Sequence, residues 1–110
     1  MPRQRATKRR LEDWDAVFRA LAHASRREIL LILHFRGGVM TAGEIARRFS
    51  CSWPTTTRHL RVLEDAGLVR VEKKGREREY RLDVSRLSSV AGGWLEWFSR
   101  EPARRAGSES

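Results

Sequence analysis

Apolar residues return every three or four positions through Leu11, Trp14, Val17, Phe18 and Leu21, which predicts a helix with one buried stripe. The run 29–33 is apolar on nearly every side and predicts a second, deeply packed helix. Ser25 and Glu28 ahead of it have capping-box spacing, hydroxyl to amide and carboxylate back to amide. Gly37-Gly38 closes that helix, and Val39-Met40 reads as a short strand. Thr41 and Glu44 repeat the capping box and open a helix with Ala42, Ile45, Ala46 and Phe49 on one face. The stretch 50–54 breaks it; Ser52 is placed to cap a further helix, which accepts Pro54 in its first turn and runs to about Ala66 before Gly67. After Gly67 the period falls to two. Val69 and Val71 alternate with Arg70 and Glu72, and Tyr80 and Leu82 with Glu79 and Arg81, around Lys73-Lys74-Gly75-Arg76. That is a β-hairpin with a cationic tip. A last helix begins near Val84, with Leu87, Val90, Ala91, Trp94, Leu95 and Phe98 at helical offsets.

The order α-α-(β)-α-α-β-β-α is mainly α with a small β-hairpin, the arrangement of a winged helix-turn-helix. Residues 1–10 have almost nothing to bury and are expected to be a disordered basic arm. Residues 11–100 form the domain, with helices at both ends available for dimerisation, and 101–110 read as a flexible tail.

Composition narrows the partner. A chain of 110 residues with 40% hydrophobic side chains supports one domain and a modest core, which a second subunit would enlarge. Lys and Arg number 23 against 14 Asp and Glu, a net charge of +9 that favours a polyanion. The excess sits in 1–10 and in 41–82. No apolar run approaches the ~20 residues of a membrane-spanning helix, and no signal-peptide pattern follows the basic N-terminus. The single cysteine forms no internal disulfide, which fits the cytoplasm.

The helix from Trp53 to about Ala66 carries the candidate chemistry. At ~100° per residue, Thr56, Leu60 and Leu63 face inward, and Arg58 and Arg61 lie nearly opposite, with Thr55 and Thr57 beside them. Guanidinium and threonine hydroxyl groups on one exposed face suit base edges in a major groove, since Arg bonds guanine bidentately and Thr offers a hydroxyl and a methyl. Lys73, Lys74 and Arg76 at the hairpin tip would reach phosphate or the minor groove. A basic helix face alone is more often a solvated surface; the preceding break, brace helix and hairpin tip favour DNA. Trp53 either packs under the turn or contacts the sugar-phosphate backbone, and His59 either meets phosphate or bonds within the domain. Cys51 fills the turn as an ordinary reduced side chain; the alternative is a redox switch, because a following helix N-terminus and arginines would stabilise a thiolate.

The stretches VFRALAHASRREIL (17–30), TAGEIA (41–46) and RHLRVLEDAGLV (58–69) resemble, in order and spacing, the opening, brace and recognition helices of ArsR-type regulators. The resemblance covers roughly 14–98 and implies a homodimeric, usually repressing transcription factor on a two-fold operator. It departs from the metal-sensing members. Residues 41–49 contain no Cys, His or Asp, the last helix offers only Glu96, and His23, His34 and His59 fall on separate elements. A tetrahedral site needs converging N or S donors. No metal ion and no cofactor are therefore expected. A second departure is Thr56, on the inward face, where an aliphatic side chain is usual. Dimerisation is assigned to Trp14, Phe18, Leu87, Val90, Trp94, Leu95 and Phe98, with Gly92-Gly93 permitting close approach of a partner backbone. The same stripes could instead only cover their own core. The competing functions are a winged-helix protein-interaction module, disfavoured by the cationic face, and an enzyme, disfavoured because no catalytic grouping or phosphate loop stands out.

Overall fold

The computed structural model describes residues 2–49 and 51–102. Five helices, α1 (Pro2–Leu21), α2 (Ala24–Phe35), α3 (Ala42–Arg47), α4 (Trp53–Asp65) and α5 (Val84–Glu96), surround a three-stranded sheet of β1 (Val39–Thr41), β2 (Val69–Lys74) and β3 (Glu77–Leu82). A 3₁₀ turn over Trp97–Ser99 extends α5, so the regular helix ends two residues before Phe98. The strands are antiparallel in the order β1-β3-β2, with Met40 opposite Tyr80 and Val71 opposite the same tyrosine from the other side.

One core holds the elements together. Val17 and Ala20 of α1, Ile29, Leu30 and Leu33 of α2, Ile45 of α3, Leu60 and Leu63 of α4, and Tyr80 of β3 are all buried in it. Most of the α4 face assigned inward from its angles is there. Thr56 joins it at 2% exposure, its hydroxyl donating to the Ser52 carbonyl at 3.0 Å. That bond satisfies the one polar group on the inward face, so a hydroxyl stands where an aliphatic side chain would be ordinary.

Two helix starts differ from the sequence expectation. α1 begins at Pro2, so the stretch 2–10 is helix and not a disordered arm. Arg, Gln, Ala and Lys are good helix formers and proline is tolerated in a first turn, so a helix anchored by Trp14, Val17 and Ala20 propagates backwards through them on propensity. α2 starts at Ala24 with His23 as its cap, whose Nδ1 accepts from the Ser25 amide at 3.3 Å. Ser25 and Glu28 lie inside the helix, so their capping-box spacing is not used. The Thr41–Glu44 capping box is complete. Of the expected tail, Glu101 and Pro102 are neither helix nor strand, and 103–110 lie outside the described residues.

Candidate nucleic-acid interface

Ser52 fixes the start of α4. Its hydroxyl accepts from the Thr55 amide at 3.3 Å and donates to the Thr55 hydroxyl oxygen at 2.9 Å, with Pro54 in the first turn. Thr55 is thereby half-buried and engaged in the cap. Thr57, Arg58 and Arg61 are exposed. Among the described residues neither arginine has an ion-pair partner, so both guanidinium groups are free to meet a ligand. Trp53 is 54% exposed and does not pack under the turn. Cys51 is half-buried in that turn.

His59 lies on the opposite flank, at 8% exposure. Its ring sits 4.5 Å from that of His23, and Arg26 Nη1 lies 3.5 Å from its Nδ1. Arg26 is itself pinned, Nε donating to the Ala20 carbonyl at 2.7 Å and Nη2 to that of Arg19 at 3.1 Å. A guanidinium only donates, so His59 Nδ1 must accept and the ring proton belongs on Nε2. Burial, then His23, Arg26 and Arg58, lower the pKa of His59 below the usual histidine value. His59 therefore bonds within the domain and seats the helix.

At the other end of α4, Gly67 takes φ +78° while Leu68 N bonds the Leu63 carbonyl at 3.0 Å and Gly67 N that of Glu64 at 2.9 Å. This closure turns the chain directly into β2. The hairpin reverses through Gly75-Arg76, with Lys74 opposite Glu77. Alternation puts Lys73 and Arg78, which are directly opposed, on the same face as Val71 and Tyr80, the side against which the helices pack. The other face pairs Arg70, Glu72 and Lys74 with Arg81, Glu79 and Glu77 and is close to neutral. Lys74 is tied to Glu79 at 3.3 Å. Of the tip cations named from sequence, Lys73 and Arg76 are unpaired among the described residues and Lys74 is not; Arg78 was missed, although its period-two position opposite Lys73 signals it.

The two terminal helices pack on each other. Phe18 meets Trp94 edge-on at 5.1 Å, and Arg86 Nη2 reaches Asp13 at 3.2 Å. Trp14, Leu87 and Val90 serve this subunit's own core, while half-buried Phe18 is engaged by Trp94. Trp94, Leu95 and Phe98 remain 37%, 58% and 71% exposed, joined by Leu11 and Trp97. Added Cβ atoms at Gly92 and Gly93 would meet nothing within 4 Å. No helix among the described residues is long and apolar enough to cross a membrane, and no three His, Cys, Asp or Glu side chains among them converge as metal ligands.

Residues 21–72, from the end of α1 into β2, match the family model described as a helix-turn-helix domain. The chain is 34% identical over 84 residues to the transcriptional repressor SdpR of Bacillus subtilis (strain 168), an alignment spanning 76% of this chain and 91% of that protein. An ArsR-like transcriptional regulator from Rhodococcus sp. RHA1 superposes with a TM-score of 0.69 at 31% identity, over 81% of this chain and 82% of that one. A homodimeric winged helix-turn-helix DNA-binding domain from Mycobacterium bovis superposes with a TM-score of 0.63 at 26% identity, over 86% and 89% of the two chains.

Proposed function

This chain belongs to the ArsR-type family of winged helix-turn-helix transcriptional regulators, and from that premise we propose that it is a repressor that binds a two-fold operator as a homodimer. The observation that carries the reading is the exposed, unpaired set Thr57, Arg58 and Arg61 on a helix braced by α3 and followed by a hairpin bearing Lys73, Arg76 and Arg78. Arg58, Arg61 and Thr57 contact base edges in the major groove. Trp53 and the capped start of α4 lie against the sugar-phosphate backbone, and Lys73, Arg76 and Arg78 hold a flanking phosphate. Repression follows from occupancy of the operator, as the name of the Bacillus subtilis relative suggests. The apolar face of Leu11, Trp94, Leu95, Trp97 and Phe98 joins the two subunits, with the partner backbone close to Gly92 and Gly93. The chain acts by binding and not by catalysis, in the cytoplasm with the DNA it reads. Its brace helix holds no thiol or imidazole, so its signal is not a metal bound there.

Selection of bound fragments from random duplex DNA tests the core of this reading. A recovered inverted repeat with half-sites one turn apart is the expected result. On that site Arg58→Ala should cost ~1–3 kcal/mol and relax the preference at one base pair, whereas Lys73→Ala should weaken all sequences alike and lower the salt slope by ~1. Binding that does not weaken with salt, or none at all, would overturn it in favour of a protein-interaction module.

A further inference from the structure

We propose that the groove between the outward face of α3 and the start of β1 is a second binding site, for a phosphate group held by Arg36, Arg47 and Arg48. The three guanidinium groups come from the C-terminal ends of two helices, Arg36 capping α2, Arg47 in the last turn of α3 and Arg48 capping it. With Val39, Met40 and Glu44 they line an open cavity of about 450 Å³. That is the size of site that takes a small organic molecule.

The charge in this groove is not consumed by ion pairs. None of the three arginines has an ion-pair partner among the described residues. The one carboxylate in the lining, Glu44, is committed to the capping box, its Oε1 accepting from the Thr41 amide at 2.8 Å. That hydrogen bond, with help from Arg47 and Arg36, holds the Glu44 carboxyl below the usual carboxylate range, so it stays charged without cancelling three cations. A helix C-terminus tolerates nearby cations, which accounts for each arginine at its own helix end but not for three lining one groove. Val39 and the largely buried Met40 supply the apolar part of the lining. Guanidinium groups beside a small apolar surface fit a phosphate carried on an organic body, because arginine matches phosphate oxygens in paired hydrogen bonds.

The position links the groove to the reading head. α3 braces α4, and Met40 pairs across β1 and β3 with Tyr80 of the hairpin. A phosphate seated here touches the brace helix and β1, the strand that pairs with β3 of the wing. It is supplied either by a free phosphorylated small molecule or by the operator backbone beyond the contacts of α4.

Titration of the full chain with pyrophosphate, without DNA, followed by amide NMR shifts, tests the free-ligand source independently of the repressor reading, and duplex binding tests the other. The probe should saturate the wild type, with shifts at Val39–Thr41 and Arg47, and should bind the Arg36→Gln/Arg47→Gln variant at least ~10-fold more weakly. Both side chains are exposed, and thermal melting checks that the variant folds as the wild type does. If pyrophosphate gives no saturable shift there, but the same variant lowers the salt slope of duplex binding by ~1–2 with base preference unchanged, the phosphate is the operator's. Equal saturation of wild type and variant, or no effect in either measurement, would overturn the site.

Discussion

His59 follows Arg58 on α4 and points the other way, and burial together with His23 and Arg26, far from it in sequence, disfavours its charged form. Arg26 cannot retreat, because the Ala20 and Arg19 carbonyls hold it. A proton on His59 Nδ1 would set donor against donor beside a fixed cation. The folded-state pKa is lowered below the ordinary ~6.5, so the unfolded chain binds the proton first as pH falls. The stability His59 contributes is therefore complete above ~6.5 and is lost as pH drops from there through the folded value. Glu44 and Asp83, also lowered, weaken the fold only in the more acid range where carboxylates titrate. Urea midpoints at pH about 7.5 and about 5.5 should differ for the wild type, with the lower stability in acid. His59→Asn keeps an acceptor near Arg26 and should flatten the difference; equal wild-type midpoints would contradict a buried neutral ring. Sequence left His59 between a phosphate contact and a bond within the domain. It could not supply His23 and Arg26, which arrive from the α1–α2 corner through tertiary packing.

The elements themselves were largely legible, because helix and strand periods, capping boxes and glycine stops are local signals. Thr41, Ser52 and Gly67 mark boundaries that the structure uses. The failures have physical causes. The stretch 2–10 lacks apolar residues but not helix propensity, and Ser25 lost the cap of α2 to His23, two residues earlier. Lys74 looked like a free wing cation until register brought Glu79 to it. Gly67 shows how much one boundary holds together. A Cβ there would lie 2.9 Å from Arg86 Nε, whose guanidinium also bonds the Ala66 carbonyl at 3.2 Å and Asp13 of α1. Gly67→Ala should cost ~1–2 kcal/mol from the left-handed backbone alone. Displacing Arg86 adds to that by loosening α5 from α1. Thermal melting should show a lower midpoint for Gly67→Ala than for Gly75→Ala, where an added Cβ meets nothing and only the backbone term applies.

At the scale of the whole molecule, α5 bears two unlike faces. One closes the subunit through Leu87, Val90 and the Phe18–Trp94 contact; the other, continued by the 3₁₀ turn, leaves Leu95 and Phe98 facing outward beside the partly exposed edge of Trp94. Helical spacing in the sequence showed a single apolar stripe and could not divide it, since which residues α1 covers depends on the crossing of the two helices. The division separates two effects a mutation could have. Phe98 is outside the core, so Phe98→Glu should leave the fold and its melting under monomer conditions intact. In a dimer it places two like charges in an apolar contact, which is costly without a partner for either. Light scattering should then give a dimer for the wild type and a monomer for Phe98→Glu at the same micromolar concentration. DNA binding tests the consequence. Two linked reading heads bind adjacent half-sites with a large effective-concentration advantage, which a monomer forfeits. Phe98→Glu should thus lose affinity for a two-half-site duplex by ~10²-fold or more, while binding an isolated half-site almost as the wild-type subunit does. A wild-type monomer, or a variant equally weakened on both duplexes, would remove the outer face of α5 as the contact that sets the spacing of the two reading helices.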